Sequence, residues 1–436
     1  MTHDQRTAHH GGQTTTAHFA PEEYRPSRDA DNPLSPAFWE RQPHDRNPVF
    51  ARLRAMDTPP FLRRPASGTW QMDDGFYALT RYDDVVAAGR NTEAFSSEPT
   101  ALTLDSTPPQ MRQDEASLIN MDNPRHARLR KIVARAFTRK SINRLEAEMR
   151  ATAGHIMDDL LNRGPCDFVQ HAAGRLPLEI ICSMTGIPRS ARADALRAVD
   201  TLQRFNEIDS RLDPYELTEA LATFRTLMSD LVHERRTHPT EDLVSALVTG
   251  LPGEETLNET EVASFFLTLV GGGNETVRNT FSQALVLLTE NPEQRRLLLG
   301  DLPARLPSAV EELIRHTSPA AWTRRNVIRP VQLRQHTFQP GDKVILYFAS
   351  ANMDESAFNA PEKFDILREP NPHVGFGTPN PHYCIGAHLA RRELTALLTE
   401  LLTRIPDIRA TAPPTRQSRG VIQDITYLPC AWGSAR

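Results

Sequence analysis

With 436 residues, 39% of them hydrophobic and 24% charged, and a formal net charge of −5, the chain has enough apolar mass for a large core and no basic surplus to favour a nucleic-acid partner. Its longest apolar run, around residues 265–270, is far shorter than the ~20 residues a membrane span needs, and the first residues show no basic-plus-apolar leader. Wholesale disorder is excluded, and the expectation is a cytoplasmic globular protein with no membrane span.

Residues 1–30 are polar, rich in His, Thr and Gln and without periodicity, and are expected to form a disordered tail. Residues 76–80 pattern as a strand and 82–89 as a helix opening on acidic side chains. Met121-Asp-Asn-Pro124 is a helix-start signal ahead of His126 and Arg130. Ile142, Leu145, Met149, Ile156, Leu160 and Leu161 recur at helical spacing, as do Leu217, Leu221, Phe224, Leu227 and Leu231, and both sets read as core stripes. Asn258 with Glu261 forms a capping-box pattern that opens a long helix to about Glu290, and Asn291-Pro292 starts the next. Strand signals return at 344–348, after the turn Pro340-Gly-Asp, and at 421–428. The sum is a mainly α protein with a minor β-sheet part.

Four places break local rules. Gly271, Gly272 and Gly273 lie inside the long helix, where each costs ~1 kcal/mol relative to alanine. They either let a flat ligand approach beside the acid and hydroxyl of Glu275 and Thr276, or serve a tight helix crossing. Glu312 and Arg315 share a helix face at i,i+3. His126 and Arg130, one turn apart, suit a carboxylate or phosphate, or else form a solvated basic face. The four cysteines show no CxxC spacing. Cys166, Cys182 and Cys430 read as small buried hydrophobes. Cys384 follows a glycine- and proline-rich loop and sits where a helix begins, a position that favours thiolate. A thiolate there is a metal ligand or a nucleophile, with His382 and His388 close by as candidate bases.

Taken in order and spacing, these features resemble the signature set of the cytochrome P450 superfamily, from about Tyr82 to the C-terminus. The run from Phe376 through Cys384 to Gly386 is similar to the haem-binding loop, Gly273-Asn-Glu-Thr276 to the oxygen-activating segment, Glu312 and Arg315 to the Glu-x-x-Arg pair, and His126 with Arg130 to the propionate-binding pair. The resemblance implies the cytochrome P450 fold as one unit over 31–436, haem b as cofactor and Cys384 as the metal ligand. It implies Phe376 packed beside the sulfur, and Gly386, Gly272 and Gly273 leaving room for the macrocycle. His382, His126, Arg130 and Arg325 would hold the propionates, with Arg324 the fallback for Arg325, and Glu275 and Thr276 would manage protons. Two departures accompany the match. The loop is one residue longer than usual, with Asn380-Pro381 where a glycine normally stands. Lys363 replaces an arginine that commonly joins Glu312 and Arg315, and Arg368 is the candidate substitute.

By the same resemblance the chain is an O2-using monooxygenase of a hydrophobic small molecule. No flavin or nucleotide fingerprint accompanies the motifs, which implies electrons from a ferredoxin and its reductase. Arg128, Lys131, Arg391 and Arg392 are candidates for the docking patch. The loop insertion and the text at 273–279 most resemble bacterial members acting on sterols, branched lipids and terpenoids. Segments 101–117, 320–323 and 422–426 would line the distal pocket. Natural-product tailoring by epoxidation or aryl coupling is the alternative, and a haem-thiolate sensor without turnover is the rival of another class.

Overall fold

The computed structural model describes residues 23–65, 73–104, 117–205, 213–249 and 256–433. Of the expected tail, residues 1–22 lie outside the described residues. Glu23–Tyr24, inside the expected tail, forms a strand (β1) beside Phe61–Arg63 (β2).

Helices carry most of the chain. The ones that build the site are α1 (Arg125–Val133), α2 (Glu146–Arg163), α3 (Arg175–Thr185), α4 (Pro214–Thr237), α5 (Glu259–Glu290), α6 (Leu302–Thr317) and α7 (Ala387–Arg404). The capping box is present in full at the start of α5: Glu261 N–H donates to Asn258 Oδ1 at 2.9 Å, and Asn258 N–H donates back to Glu261 Oε2 at 3.1 Å. From that anchor α5 runs unbroken through the three glycines. Its second half is buried all round, from Asn279 to Leu288, and it packs against α3, α4, α6 and α7. Each fully buried Leu, Phe or Val there contributes roughly 1.5–3 kcal/mol, which offsets the glycine cost.

The core stripes hold in part, with Leu145, Leu217, Leu221 and Leu227 half-buried. Met149, Ile156 and Leu160 are buried on α2, and Phe224 and Leu231 on α4, but Leu161 is exposed because it turns off the stripe.

The larger sheet is completed by β3 (Gly75–Leu79), β4 (Phe95–Ser96), β5 (Thr323–Val327) and β6 (Lys343–Leu346), in the order β1-β2-β3-β6-β5-β4. A hairpin of β7 (Thr415–Arg419) and β8 (Ile422–Tyr427) stands apart from it. Val421 O accepts from Ala321 N at 2.8 Å, and Ala320 bridges to Ile422, so the hairpin tip meets the segment entering β5. The expected strand at 344–348 ends at Leu346, because Phe348–Ala351 turns into a short helix.

Candidate functional site

The site begins with the loop before α7. Cys384 does not cap the helix: α7 starts at Ala387, with Gly386 as the capping residue. The cysteine sits three residues upstream, its N–H bonded to Phe376 O at 3.0 Å. The Gly377 φ of +86° makes the turn between them, a left-handed conformation that glycine adopts freely. Asn380 takes no left-handed conformation. Its side chain holds the longer loop instead: Oδ1 accepts from His382 N–H at 2.6 Å, and Nδ2 donates to Gly89 O at 2.8 Å. An Asx turn of this kind suits Pro381, which needs no donor.

The Cys384 side chain is reachable by solvent, yet the protein packed around it desolvates the thiol. Burial raises its thiol above the ordinary cysteine value, against opposing pulls from the Gly386 N–H, Arg130 and Arg391. That corrects the expectation of a thiolate lowered by the helix end. Such a thiol is a poor free nucleophile, but it ionises outright when a metal cation binds it. A Cβ at Gly386 would lie 4.0 Å from Cys384 Sγ, so the glycine keeps that side of the sulfur clear.

Phe376 is fixed from behind. The Arg391 guanidinium lies 4.4 Å from its ring centroid and is held by Glu311 at 2.6 and 2.9 Å. Glu311 also contacts His373 at 3.0 Å, and these hydrogen bonds outweigh its burial and bring the carboxyl to about 2. Arg391 is thereby committed to this buried structure. Arg392 pairs with Glu146, and Arg128 with Glu261 at 3.3 Å and Thr256 O at 3.2 Å. Three of the four residues expected to form a basic docking patch, Arg128, Arg391 and Arg392, are thus engaged in ion pairs.

Four basic side chains converge from three elements. His126 on α1 and His382 on the cysteine loop stack with ring centroids 4.1 Å apart. Arg130, one turn after His126, donates to Tyr383 O at 2.6 Å. Arg325 on β5 is buried, with Nη1 on Thr323 Oγ1 at 2.9 Å. Alternation along β5 decides between the two arginines: Arg324 points the other way, to Leu104 O and Asp73. Burial, then Arg325, His126 and Arg130, lower His382 to about 3. Burial also lowers His126 and brings Arg325 to about 10. His126 Nε2 is buried without a hydrogen-bond partner. The anion acting on the cluster is Asp122, whose oxygens already accept from Ser97 N and Ser96 Oγ. A surplus of buried donors and positive charge beside an enclosed thiol fits a metal-centred group bearing two carboxylates. The donor set matches haem with its propionates.

On α5 the glycines divide the two roles weighed for them. A Cβ at Gly272 would meet nothing within 4 Å, whereas one at Gly273 would press to 3.1 Å from Ile181 Cδ1 on α3. Gly273 thus serves a helix crossing, while Gly272 leaves open space. Thr276 Oγ1 donates to Gly272 O at 2.7 Å, and Glu275 is buried beside it. The expected distal segments meet where described: Ala101 O accepts from Thr323 Oγ1 and Arg324 N, both at 3.0 Å, and Ile422 bridges to Ala320. Residues 105–116 lie outside the described residues. Arg278 escaped the sequence reading as a structural residue. It grips the buried Asp424 of β8 at 2.6 and 2.7 Å and ties the hairpin to α5.

The Glu-x-x-Arg pair is fully buried, with Arg315 bidentate to Glu312 at 2.8 Å on both bonds. Arg368 Nε donates to both Glu312 oxygens at 3.2 Å. Lys363 is exposed and contributes its carbonyl, which accepts from Arg368 at 2.8 Å.

Comparison with known proteins agrees with this geometry. Residues 301–415 match the family model for cytochrome P450. The chain is 38% identical over 398 residues, 91% of its length and 93% of the relative's, to a methyl-branched lipid omega-hydroxylase of Mycobacterium tuberculosis. It is 32% identical over 88% of its length to a steroid C26-monooxygenase of Mycolicibacterium smegmatis, covering 90% of that protein. A Mycobacterium marinum cytochrome P450 solved in complex with pseudoionone superposes with a TM-score of 0.84 at 36% identity, over 94% of this chain and 100% of that one.

Proposed function

Since the chain belongs to the cytochrome P450 family, and so is a haem-thiolate monooxygenase that uses O2 and external electrons on a hydrophobic substrate, we propose that it hydroxylates an alkyl chain of a methyl-branched lipid or steroid with haem b held by Cys384. The observation that carries the site assignment is the cluster of buried His126 and Arg325 with half-buried Arg130 and His382 beside the Cys384 thiol. Haem bound there would supply the centre at which O2 is activated.

The chain's own residues do the rest. Cys384 gives a thiolate whose charge the Gly386 N–H softens, and the Arg391 stack holds Phe376 over the loop. The four basic side chains donate to two carboxylates. Thr276 and Glu275 would hold and pass protons at this site, and the space beside Gly272 is open. The apolar segments around Ala101, Ala320–Ala321 and Ile422 are the proposed contacts of an alkyl chain, consistent with what the names of the two relatives describe. No flavin site is assigned to this chain. A ferredoxin and its reductase are the proposed electron source, the cytoplasm the proposed location, and 31–436 the proposed single catalytic domain.

The test is turnover of the haem-loaded protein with a ferredoxin system, offering a methyl-branched fatty acid, a steroid with an intact alkyl side chain and an aromatic polyketide. A hydroxyl on the alkyl chain of the lipid or steroid is the expected product. Oxidation confined to the polyketide would replace the lipid assignment with natural-product tailoring.

A further inference from the structure

Two of the cysteines that read from the sequence as separate buried hydrophobes meet in the fold. Cys166 opens the short strand Cys166–Asp167, Cys430 lies in the strand Pro429–Ala431, and the strands run antiparallel with Cys166 directly opposite Cys430. Opposite residues in such a pair share one face, with Cα atoms about 4.5–5.5 Å apart, inside the roughly 4.4–6.8 Å that a disulfide spans. Each thiol lies close enough to perturb the other's ionisation. Both are free thiols; Cys166 is half-buried and Cys430 is 2% exposed.

We propose that Cys166 and Cys430 are a modification site that closes to a reversible intramolecular disulfide under oxidation by a peroxide. The bond staples the C-terminal strand to the segment that leads through Phe168, in ring contact with Phe281 of α5 at 5.0 Å, into the turn Val169–Ala173. Cys166 is the more accessible sulfur, so it attacks first. Its thiolate takes one peroxide oxygen, the O–O bond breaks, and Cys166 becomes a sulfenic acid as one water leaves. The Cys430 sulfur then displaces hydroxide from the Cys166 sulfur. The S–S bond forms, and the Cys430 proton leaves with the hydroxide as a second water. Two sulfurs have given two electrons to one peroxide, and a dithiol reverses the change by exchange. The site is independent of the substrate reading above.

The experiment treats haem-loaded protein with hydrogen peroxide and, separately, with diamide, then digests it without reduction for mass spectrometry. The expected result is a Cys166–Cys430 cross-linked peptide lighter by two hydrogens, with free thiols in the denatured chain falling from four to two. A melting temperature raised by several degrees accompanies it. Dithiothreitol reverses all of these; Cys430→Ser abolishes them, and Cys182→Ala, at a buried cysteine elsewhere, leaves them unchanged. Four thiols persisting under both oxidants would overturn the proposal. So would Cys166 ending as a sulfinic acid while Cys430 remains a thiol.

Discussion

Arg368→Lys and Lys363→Ala separate the two cations that could complete the Glu312–Arg315 network. Arg368 spends its guanidinium on Glu312 at 3.2 Å, Asn359 O at 2.7 Å, Ala360 O at 3.1 Å and Lys363 O at 2.8 Å. A lysine keeps the charge, but its single ammonium cannot reach the carboxylate and three carbonyls at once. About three hydrogen bonds are lost at ~1 kcal/mol each, so Arg368→Lys should cost about 3 kcal/mol. The Lys363 side chain is exposed, and the network uses only its backbone carbonyl. Lys363→Ala should therefore stay within ~0.5 kcal/mol of the parent. Urea unfolding followed by far-UV circular dichroism reads both, with haem retention as a second probe. Equal losses, or a larger loss for Lys363→Ala, would refute the assignment of Arg368 to the position that Lys363 holds in the sequence pattern.

Thr276→Ala should lower the product formed per NAD(P)H consumed by about tenfold or more while leaving haem content unchanged; unaltered coupling would remove Thr276 from proton management. Asp424→Asn strips the charge that holds Arg278 and should cost about 3 kcal/mol, weakening the substrate-induced spectral shift as the hairpin loosens; a wild-type titration would show that the clamp does not shape the pocket. Glu393 on α7 is buried, and burial raises its carboxyl to about 8 from 4.5. Between those values the folded chain keeps a proton that the unfolded chain has lost, so native stability falls as pH rises. From pH 5 to 7 Glu393→Gln should therefore gain about 2–3 kcal/mol relative to the parent, and a gap that does not change with pH would contradict the buried neutral acid.

What the sequence discloses is what depends on neighbours along the chain. The capping box of Asn258 and Glu261, the helix start before His126 and the i,i+3 pairing of Glu312 with Arg315 all stand as read, because each is a contact within one or two turns. The readings that changed depend on what lies across the fold. Gly273 differs from Gly272 only through Ile181 on another helix. Arg391 and Arg392 look like surface charge until Glu311 and Glu146 arrive from α6 and α2. The choice of Arg325 over Arg324 needs the strand's facing, and Cys166 opposite Cys430 needs a register that no local pattern encodes. Cys384 shows the balance of two effects: its place near a helix start argues for a lowered thiol, and the enclosure that the fold adds outweighs it.

The central claim is that Cys384 becomes a metal-bound thiolate beside His126, Arg130, Arg325 and His382. The direct measurement is the absorption spectrum of purified protein, reduced and exposed to carbon monoxide, for the parent chain and for Cys384→Ser. A strongly red-shifted Soret band in the parent that is lost or moves to shorter wavelength in the variant is the predicted result. An identical spectrum in both chains, or no haem spectrum from folded, reconstituted protein, would contradict the account.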